Sequence, residues 1–438
     1  MIVKVLRAVQ HRLTDAMLII QTRCATPSTL QADHQLTATT SLPAARERAL
    51  ILILTAIHFT NVLDFVIMMP LGPQFMRVFA ISPSAFGLLV SSYTFSAGVS
   101  GLFAAFFLDR VDRKRALLFC YAGFAIATFL CSLAPGYGVF LAARVLAGAF
   151  GGVLGALVFA VIGDVIPFER RGRATGAVMA AFSIASVLGV PAGMWLATEY
   201  QWHAPFLVLS VLALLVWIMS ALLLPVLRGH IADGPARSPI ETMRAVWSDA
   251  NHRRAFALIS ALMFAGFTVV PFLSPYMVAN VGLTERQLPL IYLAGGLATA
   301  ISSPVVGRLA DHFGKVRVFS VMSFASVPVI VMLTVLPPVR LAIALVATTL
   351  FMIVVSGRIV PAIALITSSP APGLRGSFMS VNSSVQQFAA GVASFSAGLV
   401  IGQGPGGRIT GYGTVGLIAA ASTLLCVYIA RTIIPRTA

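Results

Sequence analysis

Twelve apolar runs, each bounded by charge or by Pro and Gly, follow one another along the chain at about 49–71, 83–108, 115–134, 137–163, 173–198, 204–227, 255–280, 288–310, 316–336, 340–367, 376–401 and 412–434. Each is long enough to cross a hydrocarbon layer as a helix of about 20 residues. In that layer water cannot satisfy a peptide group, so a spanning segment must close its hydrogen bonds within itself or within a closed barrel. Runs of this length fit helices. Composition agrees: 58% of the 438 residues are apolar and 10% are charged, against about 25% charged in a soluble domain. The chain therefore reads as an all-α polytopic membrane protein with twelve transmembrane helices.

One long polar interval, 228–254, divides the spans into six and six. The expected organisation is an N-terminal tail at 1–48, a six-helix half at 49–227, a linker at 228–254 with a short amphipathic helix around Ile240–Trp247, and a second six-helix half at 255–438. The tail has no apolar stretch long enough for a secretory signal, and its Ser/Thr/Gln-rich part at 26–41 has a disordered composition. Its Val3, Leu6, Val9 and Leu13 recur at helical spacing beside Lys4, Arg7 and Arg12. Lys and Arg partition unevenly. Both termini and the even-numbered loops carry 24, the odd-numbered loops carry 4, and Arg144 and Arg358 lie inside spans. By the positive-inside rule both termini and the linker are cytoplasmic, in the cytoplasmic (inner) membrane. The net charge of +16 is thereby explained without a nucleic-acid partner. The four cysteines, Cys24, Cys120, Cys131 and Cys426, show no metal-ligand or CxxC spacing.

The two halves repeat. Asp109 after the second span and Asp311 after the eighth are 202 residues apart, and Arg171-Gly172 and Arg375-Gly376 after the fourth and tenth are 204 apart. Repeated halves around a central path are a transporter architecture. The string GRLADHFGK at Gly307–Lys315, with Gly307, Asp311 and Gly314, resembles the signature between paired helices of the major facilitator superfamily. The first copy departs from it, with Ala105 and Asp112 where Gly is usual. Arg144 followed by Gly148 resembles the fourth-helix signature of that family. Gly189-Val-Pro191-Ala-Gly193 resembles the antiporter signature of drug:proton exchangers, with Val190 interrupting the usual Gly-Pro. With LDFVIMMPLGP in the first span, the sequence resembles the twelve-helix drug/metabolite:proton antiporter branch over residues 49–434. The resemblance implies two pseudo-symmetric halves and a proton role for Arg144. It also implies that Asp109 latches the outward-facing state.

Asp64 is the one carboxylate well inside a span. An ionisable group there costs several kcal/mol and marks an ion or proton path by default. Counted from the outer ends of their spans, Asp64 and Arg144 each lie eight residues deep, about 12 Å at 1.5 Å per residue. Equal depth allows them to pair, and a proton on Asp64 would release Arg144. His58 is the nearest other titratable group. Arg358 is a second buried cation, and no span of its half holds a carboxylate. Its partners are backbone carbonyls, the amides of Asn382 and Gln386, or an anionic group on a substrate. Asn61, Phe95, Phe272, Tyr276, Asn382 and Gln386 supply aromatic and amide surface for a cavity, with packing as the competing reading of each. At the cytoplasmic helix ends, Asp109, Arg113, Lys114, Glu169, Arg170 and Arg171 form a candidate gate in which carboxylates meet helix N-termini and arginines. Gly189, Pro191 and Gly193 remove a backbone donor and permit close approach of a neighbouring helix.

The expected function is secondary active transport: proton-coupled efflux of a small organic molecule, a drug or a metabolite. The alternative is an importer or facilitator of a metabolite on the same fold. No enzyme activity and no cofactor are expected, since the proton gradient drives the cycle. The expected partners are a small-molecule substrate, protons and the lipid bilayer, with the monomer as the working unit. No GxxxxGK[ST] string suggests direct nucleotide-driven transport.

Overall fold

A computed structural model describes residues 44–107, 111–224, 239–370 and 374–434, and these are almost entirely helical. The first half comprises α1 (Ala44–Val66), α2 (Gly72–Val78), α3 (Pro83–Phe107), α4 (Arg113–Ser132), α5 (Tyr137–Val165), α6 (Phe168–Ile184), a π-helical turn (Ala185–Gly189), α7 (Val190–Tyr200) and α8 (Ala204–Leu223). After α9 (Pro239–Ser248) the second half comprises α10 (Ala250–Phe267), α11 (Val270–Ala279), α12 (Leu288–Phe313), α13 (Lys315–Thr334), α14 (Leu341–Thr367), α15 (Arg375–Val400) and α16 (Tyr412–Thr432). A small hairpin, Gly402–Gln403 with Ile409–Thr410, joins α15 to α16.

Three helix starts move by five residues relative to the apolar pattern, one of them that of α6, at Phe168 rather than 173. The first helix starts at Ala44 rather than 49, and α10 starts at Ala250 rather than 255. Hydropathy does not register a polar first turn, whereas capping creates one. The Asp249 side chain accepts from the Asn251 amide at 2.8 Å, so the Asn-His-Arg-Arg stretch is helical. The linker's amphipathic stretch is α9, whose Val246 is buried against Ala255 and Phe256. The rest of the expected tail and linker, 1–43 and 225–238, lies outside the described residues.

Eleven of the described helical stretches are long and apolar enough to cross a membrane. The expected twelfth, α15, is 26 residues long but carries several serines, Asn382, Gln386 and Gln387, which lower its hydropathy. It packs between α3 and α10, so part of this polarity (Asn382, Ser384, Ser394) is buried against protein.

The position of the apolar cores shows how the halves meet. Near the ends of the spans away from the basic loops, one core crosses both halves, with Phe75, Phe86, Phe140 and Phe206 from the first and Phe272, Tyr276, Leu333 and Tyr412 from the second. Near the basic ends each half keeps its own. Leu54, Tyr121, Phe124 and Leu157 form one, and Phe256, Phe319, Leu365 and Phe378 form the other. The halves touch where α3 runs along α15, where α7 and the π turn meet α12, and where α2 meets α11. Along α3 and α15 the approach is close. A Cβ on Gly87 would come within 2.7 Å of the Ser394 carbonyl, and one on Gly398 within 2.9 Å of the Pro83 carbonyl. Two ion pairs join the halves at the shared-core end, Arg77 with Glu285 and Arg286 with Glu199.

Candidate functional site

The site is built on α1, α3, α4 and α5, where glycines let α3 and α5 touch backbone to backbone. A Cβ on Gly148 would collide with the Tyr93 carbonyl, and one on Gly152 with the Ala97 backbone. Such contact places the Tyr93 ring beneath Arg144, with the guanidinium carbon 4.6 Å from the ring centroid, a cation–π contact. Arg144 Nη1 donates to Asp64 Oδ2 at 2.7 Å, and Thr128 Oγ1 on α4 donates to Asp64 Oδ1 at 3.3 Å. Asp64 is 0% exposed and Arg144 1%. Asn61, one turn before Asp64, holds the same layer together. Its Nδ2 donates to the Gly151 carbonyl at 2.9 Å, and its Oδ1 accepts from the Tyr93 hydroxyl at 2.8 Å. The result is a desolvated ion pair within a hydrogen-bonded cage. Removing one partner of such a pair costs about 3–5 kcal/mol, because the other charge is left buried and unmatched.

Phe65 links the cage to the second half. It stacks on Tyr93 at 5.2 Å on one side and on Phe267 of α10 at 5.8 Å on the other. From α7 and the π turn, Gly189 and Gly193 face α1 on either side of Asp64. A Cβ on Gly189 would lie 2.8 Å from Leu63 Cδ1, and one on Gly193 would strike Ile67. The expected kink is a π turn, closed by the Val190 amide on the Ala185 carbonyl, with Pro191 opening the next helix. Across the seam, a Cβ on Gly296 of α12 would lie 3.1 Å from the Ser186 carbonyl, which belongs to that turn.

The other expected cavity residues are not gathered in one place. Arg358 is buried inside the second half, where Nη1 donates to Thr423 Oγ1 at 2.5 Å and to Ser326 Oγ at 3.5 Å, and Nε has no partner. No hydrogen bond joins it to Asn382 or Gln386. The Asn382 carbonyl oxygen is buried without a partner, and Gln386 is half-buried. Tyr276 belongs to the shared core, its hydroxyl donating to the Leu336 carbonyl at 3.0 Å and its ring against Tyr412. Phe95 packs on Phe388 and Gly391 of α15. His58 lies against Phe159, with Nδ1 buried and unpartnered. Among the described residues no group of His, Cys, Asp or Glu could hold a metal.

Of the expected gate, Asp109 and the Glu169 side chain lie outside the described residues. Asp112 caps α4, accepting from the Lys114 and Arg115 amides at 2.9 and 3.3 Å. The departure from Gly at this position thereby acquires a role. Arg113 pairs with Asp164 at 3.0 Å, Lys114 Nζ donates to the Leu224 carbonyl, Arg170 pairs with Glu47 at 2.8 Å, and Arg171 Nε donates to the Ile166 carbonyl at 2.8 Å. These bonds all lie within the first half. In the second copy Asp311 is exposed, Gly307 has Val360 at ordinary contact distance, and Gly314 turns the chain at φ 91°. Only glycine takes that conformation without strain.

Sequence reasoning did not single out Tyr93 and Thr128. Both are single polar side chains in apolar runs, and only the depth they share with Asp64 and Arg144 could have drawn attention to them.

Comparison with known proteins matches the model of the Major Facilitator Superfamily over residues 54–394. The chain is 27% identical over 256 residues to the uncharacterized MFS-type transporter YceJ of Bacillus subtilis (strain 168), covering 58% of this chain and 65%, just under two thirds, of YceJ. It is 25% identical over 337 residues to YtbD of the same organism, covering 76% and 81%. Among solved structures it is similar to a bacterial homolog of the human lysosomal transporter Spinster in an inward-facing, unoccupied conformation, with TM-score 0.67, 15% identity and 89% and 96% coverage. The fold and the relatives are those of multi-pass membrane transporters rather than enzymes, and the chain belongs to the major facilitator superfamily.

Proposed function

We propose that the chain is a twelve-span secondary active transporter of the cytoplasmic membrane that exports a small organic molecule in exchange for protons. In this reading α15 is the twelfth span and the basic ends face the cytoplasm. The observation that carries the proposal is the ion pair of Asp64 and Arg144: among the described residues Asp64 is the one carboxylate with no exposed surface, in mid-span, and it is bonded to a cation at 2.7 Å. Protonation of Asp64 cancels one charge of the pair and leaves Arg144 with the Tyr93 ring and the Cys131 thiol as its neighbours. That gives two chemically distinct states of one site. Phe65, stacked between Tyr93 and Phe267, supplies a packed route from this site to the second half. The separate cores at the basic ends and the shared core at the other fit a state open to the cytoplasm.

The test is substrate movement in vesicles of both orientations, with and without an imposed pH gradient. Asp64→Asn is expected to lose gradient-driven accumulation and to retain binding and passive exchange. Arg144→Lys should keep part of the coupling, since it restores the charge without the planar fork. Full gradient-driven transport by Asp64→Asn would exclude this carboxylate as the proton carrier. Gradient-driven uptake into cells, rather than export, would establish the importer reading.

A further inference from the structure

The pseudo-symmetry of the halves exposes a difference at their basic ends. In the first half, Arg113 at the start of α4 pairs with Asp164 near the end of α5 at 3.0 Å, and Arg171 lies in the next helix. The repeat offsets of 202 and 204 residues carry these positions to Lys315, Ser368 and Arg375. Both cationic positions are kept, but the acid has become a serine. Lys315 opens α13, Arg375 opens α15, and Ser368 follows directly on α14.

Where the first half has an ion pair, the second has a cavity of about 320 Å³ lined by Lys315, Ala364, Thr367, Ser368, Arg375 and Met379. That is the lower end of the range for small-molecule sites, about 300–1,000 Å³. Neither cation is in an ion pair among the described residues. The only recorded side-chain bond of either is from Lys315 Nζ to the Ala364 carbonyl, at 3.4 Å. Asp311, the acid nearest in sequence to Lys315, is exposed and pairs with neither. No side chain caps either helix at this end. The first-turn amides of two long helices therefore add positive potential to the two side chains. The hydroxyls of Thr367 and Ser368 border the same space.

We propose that this cavity binds a phosphate oxyanion, which supplies the charge that Asp164 supplies in the first half. A guanidinium and an ammonium on neighbouring helix N-termini suit the several acceptor oxygens of phosphate. The position at a membrane-surface helix end makes an anionic phospholipid headgroup one source, and free phosphate in the aqueous phase is the other. Bound there, the anion ties α13 to α15 across the end of α14.

The experiment uses the full chain in phosphatidylcholine bilayers, titrated either with phosphatidylglycerol or with inorganic phosphate, with the thermal unfolding midpoint as readout. The wild type is expected to rise in midpoint with one or both. A response to phosphatidylglycerol alone identifies the headgroup, and a response to inorganic phosphate identifies the soluble anion. Lys315→Gln/Arg375→Gln should need about thirtyfold more of the same anion. Ser368→Asp keeps both cations and restores the internal acid, so it should be stable without addition and indifferent to it. This second variant decides the matter if the double variant does not fold. The proposal is overturned by a wild type that responds to neither addition, or by variants that respond as the wild type does.

Discussion

Replacing Arg144 by Met leaves Asp64 fully buried, with the hydroxyl of Thr128 at 3.3 Å as its one recorded partner. It also removes the cation from the face of Tyr93. Stranding the carboxylate costs about 3–5 kcal/mol, and the lost cation–π contact adds about 0.5–2 kcal/mol. Asp64→Leu strands the guanidinium instead, at a similar cost. If the two residues were independent, the double variant would lose the sum, about 6.5–12 kcal/mol, and would not fold. The geometry predicts the opposite. With both charges gone, two apolar side chains of similar volume occupy the layer between α1, α4 and α5, and such replacements are neutral or stabilising by up to about 4 kcal/mol. The double variant should therefore unfold close to the wild type in a denaturant titration in detergent, while each single variant unfolds far earlier. It should bind substrate without gradient-driven accumulation. Additive losses would refute the claim that pairing, rather than separate bonds to the cage, makes these charges tolerable at this depth.

Gly148→Ala should destabilise by about 1–3 kcal/mol, because its Cβ meets the Tyr93 backbone and not a flexible side chain. Gly155→Ala on the same helix meets nothing within 4 Å, so it should be neutral or stabilising by up to about 1 kcal/mol; equal effects of the two would sink the close-approach argument. Cysteines introduced at Arg286 or Arg408 should react with membrane-impermeant reagents added to intact cells, since these arginines lie on the charge-poor side of the 24-to-4 partition. Labelling only from the cytoplasmic side would reverse the topology.

How much of this was legible before any coordinates depends on which spatial variable was needed. Depth along the membrane normal is close to linear in residue number, so apolar runs and their ends locate a group by counting. The depth match of Asp64 and Arg144 required only that, and the structure places them in contact. Helix starts were less legible, because a polar first turn such as that after Asp249 is held by a cap that hydropathy does not register. The π turn was also hidden. Pro191 announces a missing donor, but which carbonyl takes the bond from Val190 depends on how α7 leans on Leu63 and Ile67.

Azimuth, the direction in which a residue faces around its helix, is the variable that counting does not supply. Arg358 shows the consequence. Its burial follows from its place in an apolar run, and the absence of a carboxylate from the apolar runs of its half follows from the sequence, but its neighbours do not. It faces α13 and α16 rather than α15, so its partners are the hydroxyls of Ser326 and Thr423 and not the amides of Asn382 and Gln386. The same offset that relates the halves carries Asp64 to Thr268 and Arg144 to Thr348, both buried, with hydroxyls bonded to carbonyls of their own helices. The duplicated scaffold thus keeps the positions and drops the charges. A helix hydroxyl can satisfy itself on the preceding turn, as these two do, and needs nothing across the bundle. A buried carboxylate cannot, which is why the first half must bring α3, α4 and α5 around Asp64 while the second half is released from that constraint.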